Sequence, residues 1–242
     1  MDVKIIILIF ILFIFHLIFK FYKNIKETYI KKVLNLKFWK NKYSNCHEEL
    51  LEFISQVIPY FKKWNITYWA HAGTLLGCVR HGGIIPWDDD VDFGYIDNGN
   101  IKNLIQDLEN NNFNIDYKIL GIKVNTMIGF HILNKNNYCI DMFKFVPKDN
   151  MLMQTKLANY LWPKENYYHD EVFPLKVAKF NNITLPIPNK SDNFCKRAYK
   201  DDFMDVFYIH SPHPINYINN IIDGIGIHSI SKEKFYIKDL IN

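Results

Sequence analysis

Four of the five residues at positions 88–92 are acids: Asp88, Asp89, Asp90 and Asp92. If this segment is a strand, Asp88, Asp90 and Asp92 point to the same face, because strand side chains alternate with a period of two. Carboxylates held on one face repel each other unless a cation lies among them, and carboxylate oxygens are the ligands that Mg²⁺ and Mn²⁺ prefer. The spacing therefore predicts a divalent-metal site. A solvated acidic turn is the alternative, and the apolar residues around the acids favour the strand: Ile84, Ile85, Trp87, Val91 and Phe93.

A group of residues upstream of the acids is suited to binding phosphate. The pattern predicts a short strand over residues 67–72 and the opening of a helix over residues 74–79, with Gly73 at the junction. Free backbone N–H groups at a helix start, with the Thr74 hydroxyl beside them, favour phosphate oxygens. Arg80 could hold further oxygens with its planar guanidinium. Taken alone, a Gly-Thr pair at a helix start is usually only a cap, and a single Arg is usually a surface charge. The spacing of these residues from the acids is what indicates a phosphate site.

The segment from Gly73 to Asp92 reads GTLLGCVRHGGIIPWDDDVD. It resembles, almost without interruption, the G-T-L-L-G-x-x-R-x-G-x-I-I-P-W-D-x-D-V-D signature of the LicD family, which includes bacterial phosphocholine transferases and the fukutin-related proteins. The resemblance implies a nucleotidyltransferase-like fold of the polymerase-β type, an α/β protein whose mixed sheet is flanked by helices. It also implies transfer of a phospho-alcohol from a CDP-linked donor to a hydroxyl of a glycan acceptor. The spacing of the residues alone indicates only a metal and phosphate site.

A further acid, Asp141, lies inside the apolar run YCIDMFKFV at residues 138–146. An unpaired carboxylate in a buried strand is costly, and a metal ion shared with Asp90 and Asp92 would remove that cost. Nucleotidyltransferase-like folds carry a third acid on a neighbouring strand, so the resemblance implies that these three residues are the catalytic metal ligands. An Asp on the solvated face of an edge strand is the alternative. The residues expected to position the substrate are Gly73, Thr74, Arg80 and Asp88.

Residues 169–189 look like the second conserved segment of the same family, in which F-P-L and a strand lead to a proline-containing turn and a helix. Here that helix is predicted over residues 191–199 and ends at a Tyr. Members of the family commonly have Gly after that Tyr, whereas this chain has Lys200, which leaves the acceptor side of the site undetermined. Asp170 and Glu171 could belong to the substrate pocket or to the solvated surface. His210 and His213, on either side of Pro212, could line the pocket or have only a role in a loop.

The elements that must position these residues follow from apolar periodicity and turn signals. The sequence predicts an amphipathic helix over residues 45–64 and a second helix over residues 101–111. It predicts extended segments over residues 114–120, 125–134 and 137–146. Residues 151–163 are expected to form a helix or a lid, and residues 215–242 a closing element.

Residues 5–19 are almost wholly apolar, and extended to residues 3–22 this run is about as long as one membrane span. We expect residues 1–22 to be a single-pass membrane anchor, residues 23–44 a basic stalk and residues 45–242 the catalytic domain. A cleaved signal peptide is the alternative, but no small-residue cleavage site follows the apolar run. Lysines after the span favour a cytosolic domain, whereas the eukaryotic relatives face the Golgi lumen, so the topology and an endomembrane location stay open.

Composition and charge limit the classes of protein and of partner that the chain could represent. Hydrophobic residues make up 49% and aromatic residues 16% of the 242 positions, which excludes a disordered chain. The net charge of +4 is too small to indicate a nucleic-acid partner. The four cysteines are far apart in the sequence, with no C-x-x-C, so free thiols are expected and a local zinc site is not. One or two disulfides would be possible in an oxidising lumen.

Two rival functions remain open from the residues alone. A nucleotidyltransferase acting on a sugar phosphate or a small molecule would use the same acids. An inactive, membrane-anchored binding or structural protein would not need them, and the intact acids argue against it.

Overall fold

The computed structural model describes residues 3–116, 118–119, 122–123, 129–209 and 233–241. The chain forms two compact units, one of Met1–Lys42 with Asp205–Asn242 and one of Tyr43–Met204. His210 and His213 lie outside the described residues, as do parts of the extended segments expected over residues 114–120 and 125–134.

The described helices are α1 Val3–Val33, α2 Leu36–Lys63, α3 Ala72–Arg80, α4 Ile101–Asn110, α5 Lys156–Leu161, α6 His169–Val172 and α7 Ser191–Tyr199. The described strands are β1 Thr67–Ala70, β2 Val91–Ile96, β3 Asn114–Asp116, β4 Lys118–Ile119, β5 Ile122–Lys123, β6 Gly129–Leu133, β7 Cys139–Lys148, β8 Met151–Gln154, β9 Tyr167–Tyr168, β10 Lys176–Phe180, β11 Ile183–Ile187, β12 Val206–Phe207 and β13 Phe235–Tyr236. A 3₁₀ turn, Ile237–Asp239, follows β13.

A mixed sheet is the centre of the second unit. Among the described residues it has seven strands in the order β1-β2-β7-β6-β3, with β8 paired to β7 and β9 paired to β8. Strands β2 and β7 run parallel, and the other neighbours are antiparallel. The expected mixed α/β class is therefore confirmed.

The two central strands bury one face and carry acids on the other. Val91 and Phe93 of β2 are fully buried, and their register partners on β7 are Ile140 and Met142. Phe61 of α2 is buried too and contacts the ring of Phe93. Because strand side chains alternate, the residues between them face the opposite side of the sheet. This alternation brings the acids of both strands to one face.

The helix expected over residues 45–64 is longer at its amino-terminal end. Helix α2 starts at Leu36 because the apolar spacing continues upstream, and Trp39 and Tyr43 are buried. Pro59 lies inside the helix.

The prediction of a helix or lid over residues 151–163 was wrong for residues 151–154. Met151–Gln154 form β8, which returns along the carboxyl end of β7, and α5 follows. Asp149, between the two strands, has a φ of +53°, a conformation that Asn and Asp tolerate in tight turns. Pairing with β7 provides hydrogen-bond partners for the backbone N–H and C=O groups of β8, which in a lid would be exposed to solvent.

The first unit holds the chain's two termini. Tyr29 and Val33 near the end of α1 are buried, β12 pairs with β13, and Ile241 forms a bridge with Asn35. The described part of the carboxyl-terminal tail thus pairs with residues near the chain's beginning. Whether the boundaries at residues 22 and 44 separate an anchor, a stalk and a catalytic domain stays a prediction.

Candidate active site

Three carboxylates converge where β2 begins beside β7. Asp92 is the second residue of β2 and Asp141 the third of β7, and the two are direct partners in the parallel register. Asp90 lies two residues before Asp92, and carboxylate oxygens of Asp90, Asp92 and Asp141 all lie within 4.8 Å of one another. The structure thus brings together the three residues that the sequence predicts as metal ligands.

The acids reach this point by a different route from the one expected. Strand β2 begins at Val91, so the prediction that Asp88 and Asp90 lie on a strand face was wrong. The N–H of Asp88 donates to the carbonyl of Ile85 at 2.9 Å, which closes a turn containing Pro86. Proline favours the second position of such turns, and this preference prevails over the β-forming apolar residues nearby.

Helix α2 holds the backbone of the acidic loop. His47 Nε2 donates to the carbonyl oxygen of Asp88 at 2.8 Å, and Cys46 Sγ lies 3.8 Å from the carbonyl oxygen of Asp89. Carboxylate oxygens of Asp88, Asp89 and Asp90 also lie within 4.8 Å of one another. Nothing local in the sequence connects position 47 with position 88, so a role of α2 in the site is visible only in the structure.

The crowded acids disfavour their own ionisation. Burial, followed by the charges of neighbouring acids, raises the pKa of Asp90 and of Asp92 well above the ordinary value. A divalent cation among these oxygens would remove both causes, since it replaces the lost hydration and offsets the negative charge. Asp90, Asp92 and Asp141 therefore fit a hard ion such as Mg²⁺ or Mn²⁺.

The first turn of α3 is tied to Asp92. The N–H of Gly73 donates to Asp92 Oδ2 at 3.2 Å, and the Thr74 hydroxyl accepts the N–H of Asp92 at 2.7 Å. A Cβ atom on Gly73 would lie 2.9 Å from Asp88 Oδ2 and 3.4 Å from Asp92 Oδ2, so the glycine lets the helix start approach both carboxylates. In this structure Gly73 and Thr74 orient Asp92, and their contact with phosphate stays a prediction.

Arg80 lies at the other end of α3. Its Nη1 donates to the carbonyl of Phe203 at 2.8 Å, and its Nε donates to His81 Nδ1 at 3.3 Å. Burial lowers the pKa of Arg80 to about 10, although the charge of Asp88 is among the opposing influences. The guanidinium therefore stays charged at neutral pH, and its phosphate contact also stays a prediction.

Two residues that the sequence analysis did not assign to the site flank Asp141. His131 Nδ1 donates to Asp141 Oδ1 at 2.6 Å, and the Cys139 thiol donates to the same oxygen at 2.5 Å. Burial and the neighbouring Asp141 raise the pKa of Cys139 well above the usual thiol range. Cys139 could have been found from its spacing, two residues before Asp141 on the same strand face, but His131 could be found only from the register of β6 against β7.

The acids of the second segment belong to the surface and to an ion pair. Asp170 is exposed and pairs with Lys190 at 2.5 Å. Glu171 is only 4% exposed and accepts two hydrogen bonds from Arg197, at 2.9 and 3.1 Å. Glu171 is thus a buried structural acid, which corrects the surface reading. The four cysteines are free thiols, as expected.

Comparison with known sequences identifies the family. The sequence model described as "LicD/FKTN/FKRP, nucleotidyltransferase domain" matches residues 65–190, which is just over half of the chain. The chain belongs to the LicD family. The match includes the acidic loop, α3, β2 and β7, and so contains every acid of the site described above.

Individual relatives match to different extents. An uncharacterized protein of Rickettsia prowazekii is 30% identical over 177 residues, which is 71% of this chain and 62% of that protein. Human ribitol 5-phosphate transferase FKRP is 43% identical over 61 residues, 24% of this chain and 12% of that enzyme. The lipopolysaccharide cholinephosphotransferase LicD of Haemophilus influenzae is 45% identical over 40 residues, 15% of each chain. The chain therefore spans about three fifths of the first relative and far less of the two transferases.

Proposed function

We propose that this protein is a metal-dependent transferase that moves a phospho-alcohol from a CDP-linked donor to a hydroxyl of a glycan or glycoconjugate and releases CMP. The alcohol is of the phosphocholine or ribitol-phosphate type. Membership of the LicD family supports this class of reaction, as do the names of the two transferases among its relatives. We further propose that the apolar part of α1 anchors the enzyme in a membrane.

The observation that carries the proposal is the convergence, within 4.8 Å, of Asp92 on β2, Asp141 on β7 and Asp90 in the loop that leads into β2. We propose that these three carboxylates hold Mg²⁺ or Mn²⁺. When bound, such an ion offsets the negative charge of the diphosphate and of the leaving oxygen.

The remaining residues of the site position the reactants. The amino-terminal end of α3 favours anionic groups through its backbone dipoles, and Arg80 adds a fixed positive charge at the other end of the same helix. Asp88, beside Gly73, shapes the phosphate side of the site. Asp141 accepts the proton of the attacking hydroxyl. In this structure His131 and Cys139 each donate a hydrogen bond to its Oδ1.

The test is CMP release by the full chain in detergent, with CDP-choline and CDP-ribitol as donors and Mn²⁺ present. Asp90→Ala should lower turnover about 1,000-fold or more, which corresponds to a loss of about 4 kcal/mol of transition-state stabilisation. Asp89→Ala is the matched control and should stay within about threefold of the unmodified chain, since Asp89 neighbours Asp90 in the loop but does not belong to the group of Asp90, Asp92 and Asp141. Undiminished transfer by a folded Asp90→Ala variant would contradict the proposal.

A second candidate is a nucleotidyltransferase, which the description of the family's domain favours. It would join the nucleotide to a sugar phosphate or small molecule and release pyrophosphate from a nucleoside triphosphate. Analysis of the products separates the two reactions, because only the first yields free CMP. A membrane-anchored binding protein without catalysis would show neither product, and the absence of divalent-metal binding in calorimetry would favour it.

A further inference from the structure

Asp141 belongs to two groups of potential ligands. One is the carboxylate cluster with Asp90 and Asp92, and the other joins His131 Nδ1, Cys139 Sγ and an Asp141 carboxylate oxygen, again all within 4.8 Å. We infer that His131, Cys139 and Asp141 form a second metal site, which takes a thiophilic divalent ion such as Zn²⁺. This site does not depend on which group the enzyme transfers.

Strand pairing builds the second site. His131 of β6 is the direct cross-strand partner of Asp141 of β7, and Cys139 lies two residues before Asp141 on the same strand. Side chains at such positions share one face of the sheet. The His131 and Asp141 side chains are 21% and 17% exposed, so an ion can reach them from solvent. The ligands therefore come from a paired backbone that needs no rearrangement to present them.

The sulfur and nitrogen atoms already have the spacing that they would have around a bound ion. Cys139 Sγ lies 3.5 Å from His131 Nδ1. A tetrahedral zinc ion with ordinary bond lengths holds sulfur and nitrogen ligands about 3.6 Å apart. Asp141 Oδ1 now lies 2.6 Å from the nitrogen and 2.5 Å from the sulfur, because it accepts a hydrogen bond from each. Insertion of the ion would require this oxygen to withdraw by about 1 Å, which a rotation of the carboxylate provides.

The donor atoms distinguish the second site from the first. Sulfur and imidazole nitrogen favour zinc and similar ions, whereas the all-oxygen cluster suits Mg²⁺ or Mn²⁺. Binding to a neutral imidazole moves its proton from Nδ1 to Nε2, and binding to the thiol releases its proton to solvent. Three protein ligands leave a fourth position for water or for another ligand.

The experiment is a titration of the metal-free full chain in detergent with Co²⁺, in the presence of saturating Mg²⁺. A thiolate bound to Co²⁺ gives a charge-transfer band in the near ultraviolet, and tetrahedral coordination gives strong visible bands. We expect both with one equivalent of Co²⁺ and their loss when Zn²⁺ is added. Cys139→Ser should abolish the thiolate band, and His131→Gln should weaken Zn²⁺ binding about tenfold or more.

Two control variants separate this site from other thiols and from the proposed function. Cys46→Ser should keep the band, although Cys46 lies near the acidic loop, beside the carbonyl of Asp89. Asp90→Asn should keep the band while it weakens Mn²⁺ binding, because Asp90 belongs only to the carboxylate cluster and its own loop. A chain without the thiolate band, or a band that survives Cys139→Ser or disappears in Cys46→Ser, would overturn the second site. None of these outcomes depends on transferase activity.

Discussion

Single residues at the start of α3 decide how closely the helix approaches the acids. Gly73 has no side chain where a Cβ atom would meet Asp88 Oδ2 at 2.9 Å. Because that neighbour is the end of a flexible side chain, it can move without disturbing the fold. The glycine therefore serves the geometry of the carboxylates rather than the stability of the chain.

Gly73→Ala should leave the free energy of unfolding within about 1 kcal/mol of its original value and weaken Mn²⁺ binding about tenfold. The expected cause is displacement of Asp88 and Asp92, and urea unfolding and calorimetry measure the two effects. Gly77→Ala is the matched control in the same helix. Its Cβ atom would lie 2.5 Å from the backbone oxygen of Gly83, so it should lower stability by about 1–3 kcal/mol. Equal losses of stability in both variants would contradict this distinction.

Lys200 occupies a backbone conformation that suits glycine. At the end of α7 it has a φ of +79° and a ψ of 171°, and its N–H closes the helix on the carbonyl of Lys196 at 2.9 Å. This region is almost restricted to glycine and costs another residue about 1–3 kcal/mol. Lys200, which stands where the resemblance leads one to expect Gly, thus has a strained backbone conformation.

Lys200→Gly should raise the free energy of unfolding by about 1 kcal/mol, since it relieves the strained φ. Lys200→Ala removes the same side chain without relieving the backbone and should bring no gain. Urea unfolding of the three chains measures the difference. A gain of the same size in the alanine variant would show that the side chain, and not the backbone, is responsible.

The carboxyl-terminal end of α3 carries a buried pair of basic residues. His81 Nδ1 accepts a hydrogen bond from Arg80 Nε at 3.3 Å, and the His81 ring packs edge-on against Trp87. Burial, and then the charge of Arg80, lowers the pKa of His81 to about 4. Folding therefore favours the neutral form of this imidazole.

The unfolded chain takes up the His81 proton near pH 6.5, whereas the folded chain resists protonation until about pH 4. The contribution of His81 to stability is thus fully present above pH 6.5 and is lost as the pH falls toward 4. Between pH 7.5 and 5 the loss should be roughly 2 kcal/mol. His81→Gln can still accept from Arg80 and should lack this loss, so the stability difference between the two chains should change by that amount in urea unfolding. The titration of the carboxylates is common to both chains, and a constant difference would contradict the prediction.

At the scale of the whole chain, α1 combines an exposed apolar part with a buried end. Within the described residues it is the helix that is long and apolar enough to cross a membrane, and its most apolar 18-residue window has a mean hydropathy of 2.2. Its apolar side chains from Ile6 to Tyr22 are mostly exposed, whereas Tyr29 and Val33 are buried. The part of α1 that we propose inserts into a membrane is thus separate from the part that packs against the protein.

Deletion of residues 1–22 should release the protein from the membrane fraction and leave its thermal unfolding temperature almost unchanged, because the exposed segment contributes no packing. Fractionation under alkaline conditions and thermal unfolding measure the two effects. Deletion of residues 1–34 is the control and should destabilise the chain by several kcal/mol, since it also removes Tyr29 and Val33. A shorter chain that stays in the membrane fraction would show that the apolar segment is not the anchor.

The sequence by itself determined the family, the position of the acidic loop, the bounds of α7 and the choice of Asp141 as a partner for Asp90 and Asp92. These follow from a continuous motif and from apolar periodicity, which are local properties of the chain. An acid inside an apolar run is conspicuous without any structure, because its burial would be costly unless it has a partner.

Only the tertiary structure decided which groups touch those acids. Asp90 lies in the loop before β2 rather than on a strand face, and the Thr74 hydroxyl accepts the backbone N–H of Asp92. His131 and Cys139 meet at one oxygen of Asp141 because β6 and β7 pair in one register, and a shift by a single residue would turn His131 to the other face. Register depends on the packing of the whole sheet, so a mixed sulfur, nitrogen and oxygen ligand set is invisible in a sequence whose cysteines lie far apart.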